Sequence, residues 1–394
     1  MKSVGIIAEY NPFHNGHLYQ LERVRKRTNT DAIIVLMSGN VVQRGEYSIL
    51  DKWQRAHLAL EYGADLVIEL PILVSLQAAD FFASRSVALL EKIGCNQIAF
   101  GTETATEVEL NSFLNWQLAA QDKIDQEIQS YLTQGYSYAS AYQQALESIE
   151  GYDDFAKFNP TSPNHILGLQ YLKQNKKLTH PLEIIAIPRA KSHNATEIMS
   201  GSQIREIIQN GQQINNVVPT LTQEYIEKSS LTMMEDYWPY LRYQILSQGV
   251  IGLSRIMGYK EGIENRVYKL SQENQNLECL SRNLTSKRWT RSSINRLLMM
   301  TLLNITEQEW NQQLSLFEKS PILRVLGYTK VGRQYLREMS KNKSVTLFSN
   351  YKRSYQDRYG LNIKADQIMV LANEKEKRDQ IFQRYPIYVK NREK

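Results

Sequence analysis

The sequence has few of the features that mark secreted or membrane proteins. Its 394 residues include two cysteines, Cys95 and Cys279, too few for a disulfide framework or a cysteine zinc site, so we expect a reducing compartment. The first residues contain a short apolar run interrupted by Glu9 and Asn11, which makes a poor signal peptide. No run approaches the roughly 20 apolar residues that span a bilayer. These absences predict a cytoplasmic protein without a membrane partner.

Charge and histidine are distributed unevenly along the chain. Residues 1–210 contain 18 Lys+Arg against 23 Asp+Glu, a net of about −5, whereas residues 211–394 contain 29 against 18, about +11. All six histidines lie in the first part. We therefore predict a catalytic domain over residues 1–210 and a basic, polyanion-binding domain over residues 211–394. The alternative for the basic half is a solvated helical surface.

Short apolar segments alternate with helical patterns in the first half. The apolar segments are Val4–Glu9, Ala32–Met37, Asp65–Leu70, Gln97–Gly101 and Leu182–Ile187. Strands that are apolar throughout and separated by helices are typical of a parallel sheet covered on both faces. Right-handed crossovers then predict an α/β fold with a Rossmann-like, doubly wound sheet, whose ligands bind beyond the carboxyl ends of the strands.

The remaining segments are predicted to be helical. In the first half we expect helices over about 15–26, 53–61, 77–92, 107–147, 163–173 and 202–209. The second half reads as a mostly α-helical C-terminal domain with weak strand signals, and its expected helices span 241–257, 267–275, 292–303, 307–317 and 332–339.

A histidine motif follows the first predicted strand. The segment reads Asn11-Pro12-Phe13-His14-Asn15-Gly16-His17. Pro12 ends the strand, so that a helix opening at His14 or Asn15 places His14 and His17 on one face at the ligand edge. Glycine between them leaves room for a phosphate, and the helix N-terminus adds free N–H groups. The pattern predicts a triphosphate site in which the two imidazoles donate hydrogen bonds.

A second motif follows the fifth predicted strand. Arg189 lies just beyond this strand, and the helix start Ser200-Gly201-Ser202-Gln203-Ile204-Arg205 comes after it. Serine hydroxyls at a helix start, with an arginine in the first turn, suit phosphate oxygens. A plain capped helix is the alternative interpretation of this segment alone.

The two motifs together resemble the HxGH nucleotidyltransferase superfamily that includes the class I aminoacyl-tRNA synthetases. More specifically, the chain resembles the bacterial tRNA(Met) cytidine acetate ligase family over essentially its whole length. The residues that carry this closer resemblance are the segments 9–20, 37–40, 43–46, 65–71, 100–103, 163–168 and 285–291. Gln203 departs from the pattern, because a small hydroxyl residue is usual there.

The resemblance implies an ATP-dependent ligase. Acetate and ATP would form acetyl-adenylate and pyrophosphate, and the acetyl group would pass to N4 of the wobble cytidine (position 34) of elongator tRNA(Met). His14 and His17 would be catalytic, and we expect Mg²⁺ to accompany the phosphates. The ATP-binding positions that it implies are Ile7, Ala8, Glu9, Tyr10, Asn11, Pro12, Phe13, His14, Asn15, Gly16, His17, Leu18, Tyr19, Gln20, Gly101, Asn164, Arg189, Ser200, Ser202 and Arg205.

Basic residues of the second half provide the expected tRNA contacts. Lys287, Arg288 and Arg291 surround Trp289 and combine phosphate-binding cations with a stacking ring. A further basic group consists of Arg324, Lys330, Arg333 and Arg337. Near the ATP site, Arg44 is a candidate partner for the acetate carboxylate.

Two other functions remain open at this level. One is a nucleotidyltransferase that adenylates a small metabolite, which leaves the basic half unexplained. The other is an RNA-binding protein with a regulatory nucleotide site, which leaves the intact His14, Gly16 and His17 unexplained. The sequence alone decides neither the oligomeric state nor the metal ligands.

Overall fold

A mixed β-sheet forms the centre of the molecule. The computed structural model describes residues 1–155, 159–160, 162–190, 192–193, 196–341, 344–372, 379–382 and 384–390. The strands are β1 (Ser3–Ala8), β2 (Ala32–Ser38), β3 (Val41–Val42), β4 (Glu46–Tyr47), β5 (Leu66–Leu70), β6 (Gln97–Thr102), β7 (Glu183–Pro188), β8 (Ser192–His193), β9 (Thr196–Glu197), β10 (Ile322–Tyr328), β11 (Thr346–Phe348) and β12 (Ile387–Tyr388).

The strand order confirms the predicted doubly wound sheet. It runs β11-β10-β5-β2-β1-β6-β7, and the strands β5, β2, β1, β6 and β7 are mutually parallel. The order reverses between β1 and β6, so that the crevice at their carboxyl ends is where an open α/β sheet binds its ligand. Each of the five apolar segments forms one of these strands, within one or two residues of the expected bounds.

Helices cover the sheet and build the second half of the chain. They are α1 (Asn15–Arg27), α2 (Lys52–Glu61), α3 (Ile72–Ser75), α4 (Ala79–Lys92), α5 (Glu107–Ala119), α6 (Gln121–Thr133), α7 (Tyr138–Ser148), α8 (Pro163–Asn175), α9 (Gly201–Gln209), α10 (Thr220–Lys228), α11 (Trp238–Leu253), α12 (Ile263–Glu273), α13 (Leu277–Leu284), α14 (Arg291–Leu302), α15 (Glu307–Lys319), α16 (Lys330–Met339) and α17 (Gln356–Met369). The helical stretch expected over 107–147 consists of three helices, α5, α6 and α7, which are separated by turns after Ala119 and Thr133.

Side chains of the central strands alternate between two cores. In β2, Ile34 and Leu36 pack into one apolar cluster, whereas Ile33, Val35 and Met37 pack into the other. This alternation is the period of two that a strand imposes on its side chains. Because both faces are covered, the strand is apolar at successive positions, which is the pattern seen in the sequence.

The second half contributes strands that the sequence analysis did not predict. Strand β10 pairs antiparallel with β5, and both β11 and β12 pair parallel with β10. The sheet therefore includes residues from both sides of position 210, although helices dominate the second half. The division into two domains at that position stays a prediction. No helix in the described ranges is both long and apolar enough to cross a bilayer.

A buried ionic cluster joins β5 to helices α2 and α17. Lys52 Nζ lies 3.0 Å from a carboxylate oxygen of Glu69 and 2.5 Å from one of Asp366, and all three side chains are at most 2% exposed. Arg324 of β10 is fully buried and donates to the backbone oxygens of residues 380, 381 and 384. Its expected place in a surface basic group is wrong, because it lies within a strand covered on both faces.

Candidate active site

The carboxyl ends of β1 and β6 open into a cavity of about 420 Å³. Of the expected ATP-binding residues, all except Pro12, Phe13, Asn15 and Leu18 line this cavity. The Phe13 ring stacks on Tyr62 at a centroid distance of 5.3 Å, and Asn15 Nδ2 donates to the backbone oxygen of Asn216. These two side chains hold the turn before α1 against the rest of the protein. The motif thus contains residues that line the cavity and residues that support it.

The two histidines of the motif cap helix α1. His14 is the N-cap residue, and its Nδ1 accepts a hydrogen bond from the Gly16 N–H at 3.1 Å. His17 Nδ1 accepts from the His14 N–H at 3.2 Å. The rings stack with centroids 3.7 Å apart. Both Nδ1 atoms are therefore acceptors, which assigns the proton of each neutral ring to Nε2.

Burial keeps both rings neutral. Burial, reinforced by the positive charge of Arg189, lowers the pKa of His14 to about 3. Burial, with His14 and Arg189 nearby, lowers the pKa of His17 well below its usual value. At neutral pH each ring therefore offers an Nε2–H donor without a positive charge of its own. Arg189 and Arg205, which also line the cavity, supply the positive charge that phosphates require.

Gly16 lies close to the capping ring of His14. A Cβ atom at this position would lie 2.9 Å from Cε1 and 3.0 Å from Nδ1 of His14. The absent side chain thus makes room for the capping ring, and the room for a phosphate expected at this position stays a prediction. At Gly101, by contrast, a Cβ would meet nothing within 4 Å and would project into open space, which agrees with the expected approach of a ligand to the backbone.

The chain turns sharply between β1 and the histidines. Tyr10 adopts a left-handed backbone conformation with φ of 52°, which is unfavourable for a bulky residue and is frequent at functional sites. Its ring is buried and lies 4.8 Å from that of His17. The Tyr10 hydroxyl has no hydrogen-bond partner among the described residues. A buried hydroxyl at a cavity wall is a group that a bound ligand can satisfy.

Helix α9 closes one side of the cavity. Its N-cap Ser200 and Gln203 form a capping box, in which Ser200 Oγ donates to Gln203 Oε1 at 2.7 Å. This explains why glutamine stands at position 203 in place of the usual small hydroxyl residue. The longer side chain caps the helix start and does not line the cavity. Ser202 and Arg205 do line it. The Arg205 guanidinium is held by the backbone oxygen of Asn11 at 2.7 Å and by Glu46 at 2.8 Å.

Sequence reasoning missed Arg55, which fixes the loops beneath the cavity. This fully buried side chain donates to the backbone oxygens of Glu9, Ser38, Gly39 and Leu50 at 2.6 to 3.1 Å. Burial lowers the pKa of Arg55 to about 10, so it stays charged at neutral pH. In the sequence, Arg55 is marked only by its position on the buried face of α2. A helix pattern alone does not distinguish a buried arginine that bonds backbone oxygens from one that forms a salt bridge.

The opposite wall of the cavity is largely apolar and was also missed. It includes Ala79 and Phe82 from α4, Phe100 from β6 and Tyr171 from α8. These residues come from separate parts of the chain and have no motif in common. Arg44, the candidate partner for acetate, lines the cavity too. Apolar surface of this kind is typical of pockets that bind small molecules.

A third histidine, His165, has a structural role. His165 is fully buried, its Nδ1 lies 2.7 Å from the backbone oxygen of Asn159, and its Nε2 accepts from the N–H groups of Thr104 and Ala105. It joins the start of α8 to the loop after β6, and Asn164 in the first turn of α8 lines the cavity. The side chain of His193 lies outside the described residues.

The basic segment 287–291 leads into helix α14, which packs on a hairpin at the cavity. Lys287 Nζ donates to the backbone oxygen of Gly135, and Arg288 is exposed. Trp289 is partly buried against the large apolar core, and Arg291 pairs with Glu278. The hairpin β3–β4 packs closely on α14. A Cβ at Gly45, where φ is +78°, would lie 2.3 Å from the backbone nitrogen of Arg296. This hairpin carries Gln43 and Arg44 into the cavity.

Comparison with known proteins identifies the family. The chain matches the HIGH nucleotidyl transferase family model over residues 1–384. A tRNA(Met) cytidine acetate ligase of Latilactobacillus sakei is 36% identical over 358 residues, covering 89% of this chain and 88% of the relative. A protein of the same name from Clostridium novyi is 32% identical over 406 residues, covering 99% and 100%. The chain belongs to the tRNA(Met) cytidine acetate ligase family.

A solved structure extends the comparison to three dimensions. The crystal structure of Thermotoga maritima TmcAL bound with α-thio ATP is 25% identical to this chain. It covers 99% of this chain and 100% of its own, with a TM-score of 0.87. The family resemblance and the fold class expected from the sequence are therefore both confirmed.

Proposed function

We propose that this protein is an ATP-dependent ligase that acetylates N4 of the wobble cytidine of elongator tRNA(Met). In the first step an acetate oxygen attacks the α-phosphorus of ATP, and pyrophosphate leaves. In the second step the cytidine amine attacks the acetyl carbonyl, and AMP leaves. The names of the relatives and the nucleotide bound by the T. maritima protein support this assignment.

The observation that carries the proposal is the pair of neutral, stacked histidines beside the point between β1 and β6 where the strand order reverses. Acetate is already an anion, so the first step needs stabilised phosphate oxygens more than it needs a base. His14 and His17 each present an Nε2–H donor once their Nδ1 atoms are engaged with the backbone. Arg189, Arg205 and Ser202 line the same cavity and suit the leaving pyrophosphate.

Open space at Gly101 and the nearby Asn164 side chain suit the nucleoside part of ATP. The apolar wall that includes Phe82 suits the acetyl methyl group, and Arg44 suits its carboxylate. The other expected ATP-binding residues that line the cavity are consistent with this orientation. Their roles remain proposals that ligand-bound structures of this chain would test.

We propose that Mg²⁺ enters with ATP as part of the substrate. The described residues contain no group of three or more His, Cys, Asp or Glu side chains that fits a metal ion. In the cavity, one oxygen of Glu9 is already occupied by the Gln43 N–H at 2.6 Å. Phosphate oxygens are the usual ligands of Mg²⁺ in such a site. An ion held in this way needs no cluster of three or more protein ligands.

The tRNA is proposed to approach over the hairpin β3–β4 and helix α14. Lys287, Arg288, Trp289 and Arg291 lie on the segment that leads into α14, and Arg296 Nη1 donates to the Gln43 backbone oxygen at 3.4 Å. Basic residues in this place suit anticodon-loop phosphates, while the target base is splayed out into the cavity. A tRNA substrate and the reducing environment expected from two free cysteines support a cytoplasmic location.

Nucleoside mass analysis tests the whole proposal. Unmodified elongator tRNA(Met) incubated with the protein, ATP and labelled acetate should yield labelled N4-acetylcytidine at position 34. Exchange of labelled pyrophosphate into ATP should require acetate but not tRNA. A metabolite-adenylating enzyme would instead show no acetate-dependent exchange, and a regulatory nucleotide site would show no turnover of ATP. Either result would reject the ligase assignment.

A further inference from the structure

The second step of the proposed reaction releases a proton that must be accepted. The cytidine N4 nitrogen forms a bond to the acetyl carbon, and the bond from this carbon to the phosphate oxygen breaks with its electron pair on AMP. The nitrogen, which starts as an amine, must lose one proton to end as a neutral amide. General bases at this point contribute about 10²- to 10⁴-fold to rates of this kind.

The histidines of the cavity are unable to accept this proton. His14 Nδ1 holds the Gly16 N–H, and His17 Nδ1 holds the His14 N–H. Their remaining ring nitrogens carry the protons. Protonating either ring would also place a second positive charge beside Arg189, which disfavours the charged form. Both rings therefore donate to phosphate oxygens and take no part in deprotonation.

Glu9 is the one carboxylate among the described residues that line the cavity. It directly follows β1, at the switch point. The Arg55 guanidinium holds its backbone oxygen at 2.6 Å, and the Gln43 N–H donates to its Oε1 at 2.6 Å. Glu9 is thus held at its backbone oxygen and at one carboxylate oxygen, close to the hairpin over which the tRNA is proposed to approach.

We infer that Glu9 is the general base that takes the proton from the cytidine N4 amine during acetyl transfer. This inference rests on the proposed function. The carboxylate accepts the proton as the carbon–nitrogen bond forms, and water removes it after AMP has left. Gln43 N–H keeps Oε1 in place, which leaves Oε2 as the accepting atom.

The surroundings adjust the basicity of this carboxylate. Burial raises the pKa of Glu9, and the charge of Glu46 acts in the same direction, whereas the Gln43 N–H, Arg44 and Arg205 oppose it. The guanidinium of Arg55 and the ring of Tyr171 also face Glu9. A carboxyl group with a raised pKa is a stronger base, and its proton affinity comes closer to what transfer at neutral pH requires.

The variant Glu9→Gln separates the two steps. It keeps the shape and the oxygen that Gln43 contacts, but it has no accepting carboxylate. We expect single-turnover acetyl transfer to fall by about 10²-fold or more, while acetate-dependent pyrophosphate exchange falls by less than tenfold. In the wild type the transfer rate should rise with pH through the pKa of Glu9 and then level off. This rise should be absent in the variant, and Glu9→Asp should recover part of the transfer rate.

Glu46→Gln is the matched control. It removes the neighbouring carboxylate, which pairs with Arg205 and does not line the cavity, and it leaves the proposed base in place. Transfer should therefore still rise with pH and level off, but at lower pH, because a charge that raises the pKa of Glu9 is gone. Acetyl transfer at the wild-type rate by the Glu9→Gln variant would overturn the inference. So would an equal loss of pyrophosphate exchange and acetyl transfer in this variant. Absence of both exchange and N4-acetylcytidine in the wild type would instead refute the proposed function, so the two failures are distinguishable.

Discussion

The contact between Gly16 and His14 allows activity to be separated from stability. In Gly16→Ala, the new methyl group would lie 2.9 Å from His14 Cε1, so the ring must move. His14 is 9% exposed and stacks on His17, which leaves it little space for a small adjustment. We therefore expect the ring to leave its capping position and to lose the alignment of Nε2 with the phosphates.

The two energetic effects of this change on the helix nearly cancel. Alanine in place of glycine in a helix is favourable by about 1 kcal/mol, and loss of an N-cap side chain costs about 1 kcal/mol. The free energy of unfolding should therefore change by less than about 1 kcal/mol. Displacing a donor from transition-state phosphate oxygens should lower the rate by about 10²-fold.

Acetate-dependent pyrophosphate exchange measures the activity, and urea denaturation measures the stability. The double variant with His14→Ala provides the control, because both changes act through one ring and their effects should not multiply. Pyrophosphate exchange at the wild-type rate by the Gly16→Ala variant would refute the claim that the His14 ring must move. A double variant that is much slower than His14→Ala would show that Gly16 acts on something other than the ring.

Two further predictions concern other parts of the molecule. Reversing the charge at Lys287, Arg288 and Arg291 should weaken tRNA binding and lessen its salt dependence, because fewer phosphates are neutralised. Acetate-dependent exchange without RNA should persist, and its parallel loss would indicate damaged folding instead. Lys52→Met should lower the free energy of unfolding by about 3–5 kcal/mol, because it leaves two buried carboxylates without their cation. Urea denaturation would measure this, and an unchanged midpoint would contradict the importance of the buried cluster.

The sequence by itself determined the parallel part of the fold. Strands such as Ile33–Met37 are apolar at every position because both faces of the sheet are covered. The histidine motif was equally readable, since its function depends on residues that are neighbours in one turn of helix. Local contacts of this kind are encoded within a few positions of each other, so a single sequence displays them.

Only the tertiary structure decided what comes together from distant segments. Strand β10 joins the sheet beside β5 although more than 250 residues separate them, and no local pattern records such a pairing. The same holds for Arg55, whose partners are the backbone oxygens of residues 9, 38, 39 and 50, and for the apolar cavity wall. The tautomers of His14 and His17 likewise follow from the bonds that the folded backbone donates to Nδ1. Long-range packing places these groups, and their roles depend on neighbours that the sequence order does not reveal.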